Sequence, residues 1–192
     1  MSKDSIGTLY VVATPIGNLE DISARATKIL NAVDLIAAED TRRTQGLLST
    51  FNIKSKMIAY HDHNEIEQTP VLIDKLIRGS SIALVSDSGS PLLSDPGIVL
   101  VRAARASGIS VVSVPGPSAV ISALSIAGLP TDRFIFEGFL PRASGPKSDR
   151  LSRIANESRT IVLYESVHRL INTLEALKAH FEADRVVFIC RE

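Results

Sequence analysis

Residues 86–97 read Ser-Asp-Ser-Gly-Ser-Pro-Leu-Leu-Ser-Asp-Pro-Gly and sit between an apolar run and a helix-period segment. They gather small side chains, open backbone N–H groups and two carboxylates, Asp87 and Asp95. That chemistry suits a polar ligand with ribose hydroxyls or an amino-acid moiety; the plainer alternative is a turn in which both acids only cap amides. Ser88 is not in a G-x-S-x-G frame, so a nucleophile elbow is excluded. A G-x-G-x-x-G after the first apolar run and a Walker loop are both missing. Thr14-Pro15-Ile16-Gly17-Asn18 is either an ordinary turn or a place where backbone approaches a flat ligand, because Gly17 lacks a Cβ and Pro15 is rigid.

Three further groups carry charge. Ala38-Glu39-Asp40-Thr41-Arg42-Arg43 sets acids and arginines at a strand-to-helix junction, where they serve the helix dipole or hold a phosphate. His61-Asp62-His63-Asn64-Glu65 invites a metal reading, but one cysteine and no third clustered histidine argue against a closed zinc site, so no metal is expected. A proton-handling or RNA-contacting role for His63 and Glu65 fits better. Residues 141–150, with Arg142, Lys147 and Arg150, read as a flexible basic loop, either solvated or in contact with phosphate. Tyr164-Glu165-Ser166-Val167-His168-Arg169 closes a strand and opens a helix; His168 and Arg169 are either functional or helix-surface residues.

Elements with alternating character must position these groups. Strand-length apolar runs at 8–13, 35–38, 57–60, 82–85, 110–114, 134–136, 160–164 and 185–189 alternate with helical spacing, as in Ile22, Ala26, Ile29, Leu30 and Val33. Helices are expected over 41–48 and 71–77, from Asp95-Pro96 (N-cap acid, then proline) to Gly108, from Pro117 towards Gly128, and through Leu170, Leu174 and Leu177. The alternation predicts an α/β fold with a mostly parallel sheet, in which ligands collect beyond the carboxyl ends of strands. Pro115-Gly116-Pro117 breaks both strand and helix, which places domains at 1–116 and 117–192. Because 185–189 is followed only by Arg191-Glu192, the second domain is expected to be truncated.

Composition bounds the function. Hydrophobic residues at 45% and charged ones at 22% describe an ordinary globular chain, and the 21 basic residues balance 21 acidic ones. An RNA partner therefore needs clustered basic residues rather than many. No apolar run reaches the roughly 20 residues of a membrane span. Met1-Ser2-Lys3-Asp4 lacks the apolar core of an export signal, and the single Cys190 fits a reducing compartment, so a cytoplasmic location is expected.

Several stretches together resemble the ribosomal RNA small subunit methyltransferase I family, a branch of the tetrapyrrole methylases. They are residues 9–22, 38–42, 63–65 and 86–97, then Pro115-Gly116-Pro117-Ser118-Ala119, Gly138-Phe139-Leu140-Pro141 and Glu165-Ser166-Val167-His168-Arg169, in family order. Ser88 stands where the family usually has Ala, and Val167 where it has Pro; family members also continue beyond Arg191-Glu192.

The resemblance implies two α/β domains holding S-adenosylmethionine in the cleft between them, a homodimer, and a small-subunit ribosomal RNA or assembled small subunit as substrate. Carried over by position, Pro15 and Ile16 edge the cofactor site. Gly89, Ser90 and Leu93 contact its methionine and ribose parts, with Ser118 and Ala119 nearby and Tyr164 from the second domain. The implied reaction methylates a ribose 2′-hydroxyl of a cytidine, with Asp87, Glu65 or His63 accepting the proton and Arg42, Arg142, Lys147 and Arg150 holding phosphates. Two alternatives remain: a small-molecule, tetrapyrrole-type methylase of the same fold, and a non-catalytic RNA- or nucleotide-binding module.

Overall fold

The computed structural model describes residues 6–191; residues 1–5, which include the Met1–Asp4 segment read above, and Glu192 lie outside them. Two compact units divide between Ala119 and Val120. In the first, strands β1 (Thr8–Val12), β2 (Leu35–Ala38), β3 (Met57–Ala59), β4 (Ile82–Val85) and β5 (Ser110–Val114) form one sheet. Its order is β3-β2-β4-β1-β5, and every neighbouring pair is parallel. The expected parallel α/β architecture is the one observed.

Helices α1 (Ala24–Ala32), α2 (Thr41–Thr50), α3 (Glu65–Ile77) and α4 (Ile98–Ala106) join consecutive strands. The chain first steps outward from β1 to β2 to β3, then returns through β4 to β5. Right-handed crossovers therefore place α1 and α2 on one face and α3 and α4 on the other. The core follows: Ala26, Leu30 and Leu48 pack with Ile36, Ala38, Ala83 and Val85 on one side. Leu72, Leu76, Leu100 and Ala104 pack with Leu9, Ala37, Ile82 and Leu84 on the other. Residues 82–85 are all buried, as a central strand covered on both faces requires.

The second unit contains β6 (Phe134–Phe139) and β7 (Thr160–Tyr164), a parallel pair with an irregularity between Phe136 and Gly138. Helices α5 (Ala119–Ile126), α6 (Ser144–Ile154) and α7 (Leu170–His180) complete the described α-helices. Leu140, Leu151 and Ile154 form its small core.

Four expectations are corrected. Helix α3 starts at Glu65 and runs through Pro70, which forfeits one hydrogen bond while Leu72 and Leu76 on the same helix stay fully buried. Helix α4 is not capped by Asp95: its N-cap is Gly97 at φ 130°, so the helix starts at Ile98, three residues beyond Asp95. The basic segment is helix α6 rather than a loop. Its Gly145 and Pro146 fall in the first turn, where backbone N–H groups have no helical acceptor to lose. Residues 185–189 form no strand: Val186, Val187, Phe188 and Ile189 are exposed and no ladder partner lies beside them among the described residues.

Candidate functional site

All five parallel strands deliver their carboxyl ends to one rim, so the turns after β1, β2, β3, β4 and β5 share it. The turns after β1 and β4 are joined by an isolated antiparallel bridge. Thr14 N–H donates to the Gly89 carbonyl at 2.9 Å, and Gly89 N–H donates to the Thr14 carbonyl at 3.0 Å. Gly89 has φ 77°, and a Cβ there would lie 3.3 Å from Ile16 Cγ2. The Ser90 hydroxyl donates to the Pro117 carbonyl at 3.2 Å, which fastens the turn after β5 to the same group. Pro15, Ile16, Gly89, Ser90, Ser118 and Ala119 are thus brought together by three strand-end turns. Leu93 is exposed and follows Leu92, which has φ 74° although it is not glycine.

The turns after β2 and β4 are tied by carboxylates. Asp87 N–H donates to Glu39 Oε2 at 3.1 Å, and Asp40 N–H donates to Asp87 Oδ1 at 3.0 Å. Arg43 Nη1 lies 3.4 Å from the other Asp87 oxygen. Burial pushes the Glu39 carboxyl up, opposed by the Asp87 amide and helped by the charges of Asp95, Asp87 and Asp62. Asp95 is likewise raised by burial, with Asp87 and Asp62 adding to it. Asp40 caps α2 through the Arg42 amide at 2.8 Å, and its bonds from Arg42 hold its carboxyl at about 2.

After β3, Asn64 clamps the turn: His61 N–H donates to Asn64 Oδ1 at 2.8 Å, and Asn64 Nδ2 donates to the Ala59 carbonyl at 3.0 Å. His63 is exposed, its ring 5.9 Å from that of His61. Glu65 is the first residue of α3, and its Oε2 is buried without a hydrogen-bond partner. Among the described residues no group of three or more acids, histidines or cysteines is arranged to hold a metal.

The remaining predicted residues lie elsewhere. Arg42 is exposed and paired with Asp40 at 3.1 Å. In the second unit Arg150 is paired with Glu137, Lys147 is half-buried in the first turn of α6, and Arg142 is exposed. Tyr164 ends β7 with its ring 5.0 Å from Phe136 and 5.4 Å from Phe139. Arg169, left open by sequence, is a strut: Nη2 donates to the Leu140 carbonyl at 2.8 Å while Nε lies 3.3 Å from Glu165 Oε1. Glu165 in turn accepts the Thr173 hydroxyl at 2.6 Å and its neighbour's amide, Ser166 N–H, at 2.8 Å.

Sequence reasoning placed Glu39 at a helix start and Thr14 in a turn, but did not assign them, or Asn64, the joints they make between or within the turns. Glu39 and Thr14 stand within two residues of a strand end, and that position is the signal that could have drawn attention to them.

Comparison with known proteins agrees with this architecture. A family model described as Tetrapyrrole (Corrin/Porphyrin) Methylases matches residues 8–192. The chain is 52% identical over 189 residues to a Haemophilus influenzae protein named Ribosomal RNA small subunit methyltransferase I, covering 98% of this chain and 67% of that one. It is 54% identical over 191 residues to the Escherichia coli O157:H7 protein of the same name, covering 100% and 67%. The chain thus spans about two thirds of the length of these relatives. A Thermus thermophilus uroporphyrin-III C-methyl transferase complexed with S-adenyl homocysteine has a similar fold, with a TM-score of 0.63 at 19% identity over 93% of this chain and 79% of that one.

Proposed function

We propose that this chain, which belongs to the tetrapyrrole (corrin/porphyrin) methylase family, is an S-adenosylmethionine-dependent methyltransferase acting on the ribose 2′-hydroxyl of a cytidine in small-subunit ribosomal RNA. The observation that carries the reading is identity above 50%, over nearly the whole chain, to proteins named for that ribosomal RNA activity. It favours ribosomal RNA over a tetrapyrrole as substrate, and an enzyme over a binding module.

The rim has features that suit such a cofactor. At Gly89 the missing Cβ leaves backbone open beside Ile16. The carboxyls of Glu39 and Asp95, both disfavoured as anions by burial and by neighbouring acids, suit a ligand carrying positive charge and hydroxyls. Pro15, Ile16, Gly89, Ser90, Leu93, Ser118 and Ala119 would line it. When bound, the cofactor supplies an already activated methyl group.

The protein's own tasks are to orient the ribose oxygen, exclude water and take up the hydroxyl proton. Of the three acceptors, Asp87 has both oxygens engaged by Asp40 and Arg43, so we assign it to positioning. Glu65 and His63 keep the proton-accepting role. Arg142 and Lys147 have no acidic partner among the described residues and keep the role of phosphate contacts; Arg42 and Arg150 would have to leave Asp40 and Glu137 to join them. A homodimer and a cytoplasmic setting accompany the proposal; no described helix is long and apolar enough to cross a membrane.

Incubation with labelled S-adenosylmethionine and either small ribosomal subunits or a porphyrinoid tests the assignment. Label in a ribose 2′-O-methyl group of the RNA supports it, whereas label only in the porphyrinoid, or in neither, would sink it. Alanine at Glu65 and at His63 tests the base: unchanged turnover in both removes it.

A further inference from the structure

A second feature lies on the face of the first unit covered by α1 and α2. A groove of about 790 Å³ is lined by Ala24, Arg25, Thr27, Lys28 and Asn31 from α1, and by Phe51, Asn52 and Ile53 after α2. A neighbouring hollow of about 470 Å³ shares Asn31 and adds Val33, Asp34, Lys54, Ser55 and Lys56. None of these residues belongs to the strand-end turns described above.

The two walls of this open groove are held by local structure. Arg25, Lys28 and Asn31 recur at i, i+3 and i+6, forming a stripe along about 9 Å of helix opposite the buried Ala26 and Leu30. The other wall is a Schellman turn. Asn52, at φ 54°, donates its N–H to the Ser49 carbonyl at 3.2 Å, and Ile53 N–H donates to the Leu48 carbonyl at 2.9 Å. The Ser55 hydroxyl donates to the Leu30 carbonyl at 2.6 Å and holds that wall to α1. Four of the carbonyls near the two helix ends are taken: Ile29 by Val33 N–H, Leu30 by Ser55, and Leu48 and Ser49 by the Schellman turn.

What the groove presents is cationic donors and amides. Arg25, Lys28, Lys54 and Lys56 are exposed and make no ion pair among the described residues; other unpaired cations, such as Lys75, Arg102, Arg142 and Lys147, lie outside this lining. The one acid in the lining, Asp34, has Oδ2 turned to the Ser81 amide at 2.7 Å and the Ser81 hydroxyl at 2.9 Å, and these bonds hold its carboxyl below the usual range. In a chain with no net charge, four unpaired cations in two adjoining hollows, with Asn31, Asn52 and the half-buried Phe51 ring between them, match a nucleic-acid backbone and its bases.

We infer that this groove is a second RNA-contact surface, taking the phosphodiester backbone of the substrate RNA away from the methyl-transfer rim. The inference rests on the ribosomal RNA reading above. The test compares the full chain with Arg25→Ala/Lys28→Ala and Lys54→Ala/Lys56→Ala variants and their combination. It measures affinity for a small-subunit ribosomal RNA fragment and for assembled small subunits across a salt series, with S-adenosylmethionine affinity and methyl transfer read in parallel. All four side chains are exposed, and circular dichroism melts check that each variant folds.

The combined variant is expected to bind RNA at least about tenfold more weakly at low salt. Its log–log salt slope should shrink by about 0.7 to 0.9 for each phosphate that is no longer neutralised, with cofactor affinity unchanged. Unchanged RNA affinity and slope in a chain that still methylates RNA overturns the groove and leaves the activity standing. Weaker binding to assembled subunits but not to naked RNA also overturns it, in favour of an acidic protein surface. A wild-type chain that binds RNA through the groove yet transfers no methyl group overturns the activity alone, and one that binds no RNA overturns both.

Discussion

Glu39 and Asp87, 48 residues apart, stand at the ends of adjacent strands: Glu39 Oε2 accepts the Asp87 amide, and Asp87 passes the bond on by accepting the amide of Asp40. The two turns thus hold each other through main-chain donors that would otherwise be left without partners at the rim. Asp87 fixes the turn that carries Gly89 and Ser90, so losing this link should be felt at the cofactor.

Glu39→Ala removes the acceptor of the Asp87 amide. It should lower unfolding free energy by about 1–2 kcal/mol and weaken S-adenosylmethionine binding. Glu39→Gln keeps an acceptor of the same shape and should retain most of both. Urea unfolding and calorimetry report the two quantities, and an alanine variant matching wild type in both would show the link to be idle.

The same carboxyl shapes the pH response. Glu39 and Asp95 have folded pKa values raised chiefly by burial, so their contribution to stability is fully present below the ordinary carboxylate range. It is lost as pH rises through the raised values. Asp40 and Asp34 run the other way: their contribution is present at neutral pH and is lost on acidification, for Asp40 towards about 2. Relative to wild type, Glu39→Gln should therefore be more favourable at pH 7 than at pH 4. Denaturant midpoints at the two pH values measure this, and a difference of the opposite sign would contradict the burial argument.

Three glycines should answer alanine differently. Gly89→Ala forces a left-handed backbone at φ 77° and sets a methyl 3.3 Å from Ile16 Cγ2, so about 1–2 kcal/mol and part of the cofactor affinity should be lost. Gly97→Ala, at φ 130° and with its Cβ 2.7 Å from Leu84 Cδ2, should cost more. Gly46 lies inside α2 with nothing within 4 Å of an added Cβ, and alanine there should stabilise by about 0.5–1 kcal/mol. Thermal unfolding of the three variants ranks them, and any other order refutes the packing account.

Arg169 joins the ends of β6 and β7 through the Leu140 carbonyl and Glu165, and its side chain is only 24% exposed. Arg169→Ala should destabilise the chain by about 1.5–3 kcal/mol. Arg169→Lys should not restore it, since an ammonium cannot reproduce the planar fork. A lysine variant melting with wild type would assign the effect to charge alone.

The sheet was largely legible from the chain. Residues 82–85 are an unbroken apolar run because β4 is covered on both faces, and 35–38 and 110–114 coincide with β2 and β5. What misled were residues whose type fits more than one backbone setting. Asp95 before Pro96 has the form of a cap, yet Gly97, at φ 130°, takes the N-cap position and the helix begins only after it. Pro146 looks like a breaker but occupies a first turn, and Pro70 is carried by a helix whose inner face is sealed. At the rim, sequence identified the turns but not their joints. The Thr14–Gly89 bridge and the Glu39–Asp87 link span 75 and 48 residues, and no local pattern encodes a contact at that range.

The order β3-β2-β4-β1-β5 also bears on how the molecule is made. β4 slots between β2 and β1, so a chain emerging from synthesis holds β1, β2 and β3 before the strand that must separate and join them exists. Until residues 82–85 arrive, β1 and β2 each present an open edge to other nascent chains, and the first helices have no finished floor to lie on. Insertion of one four-residue strand then closes both gaps and draws the turns after β1, β2 and β4 together, so ligand-binding competence should not precede that late, long-range step of sheet assembly.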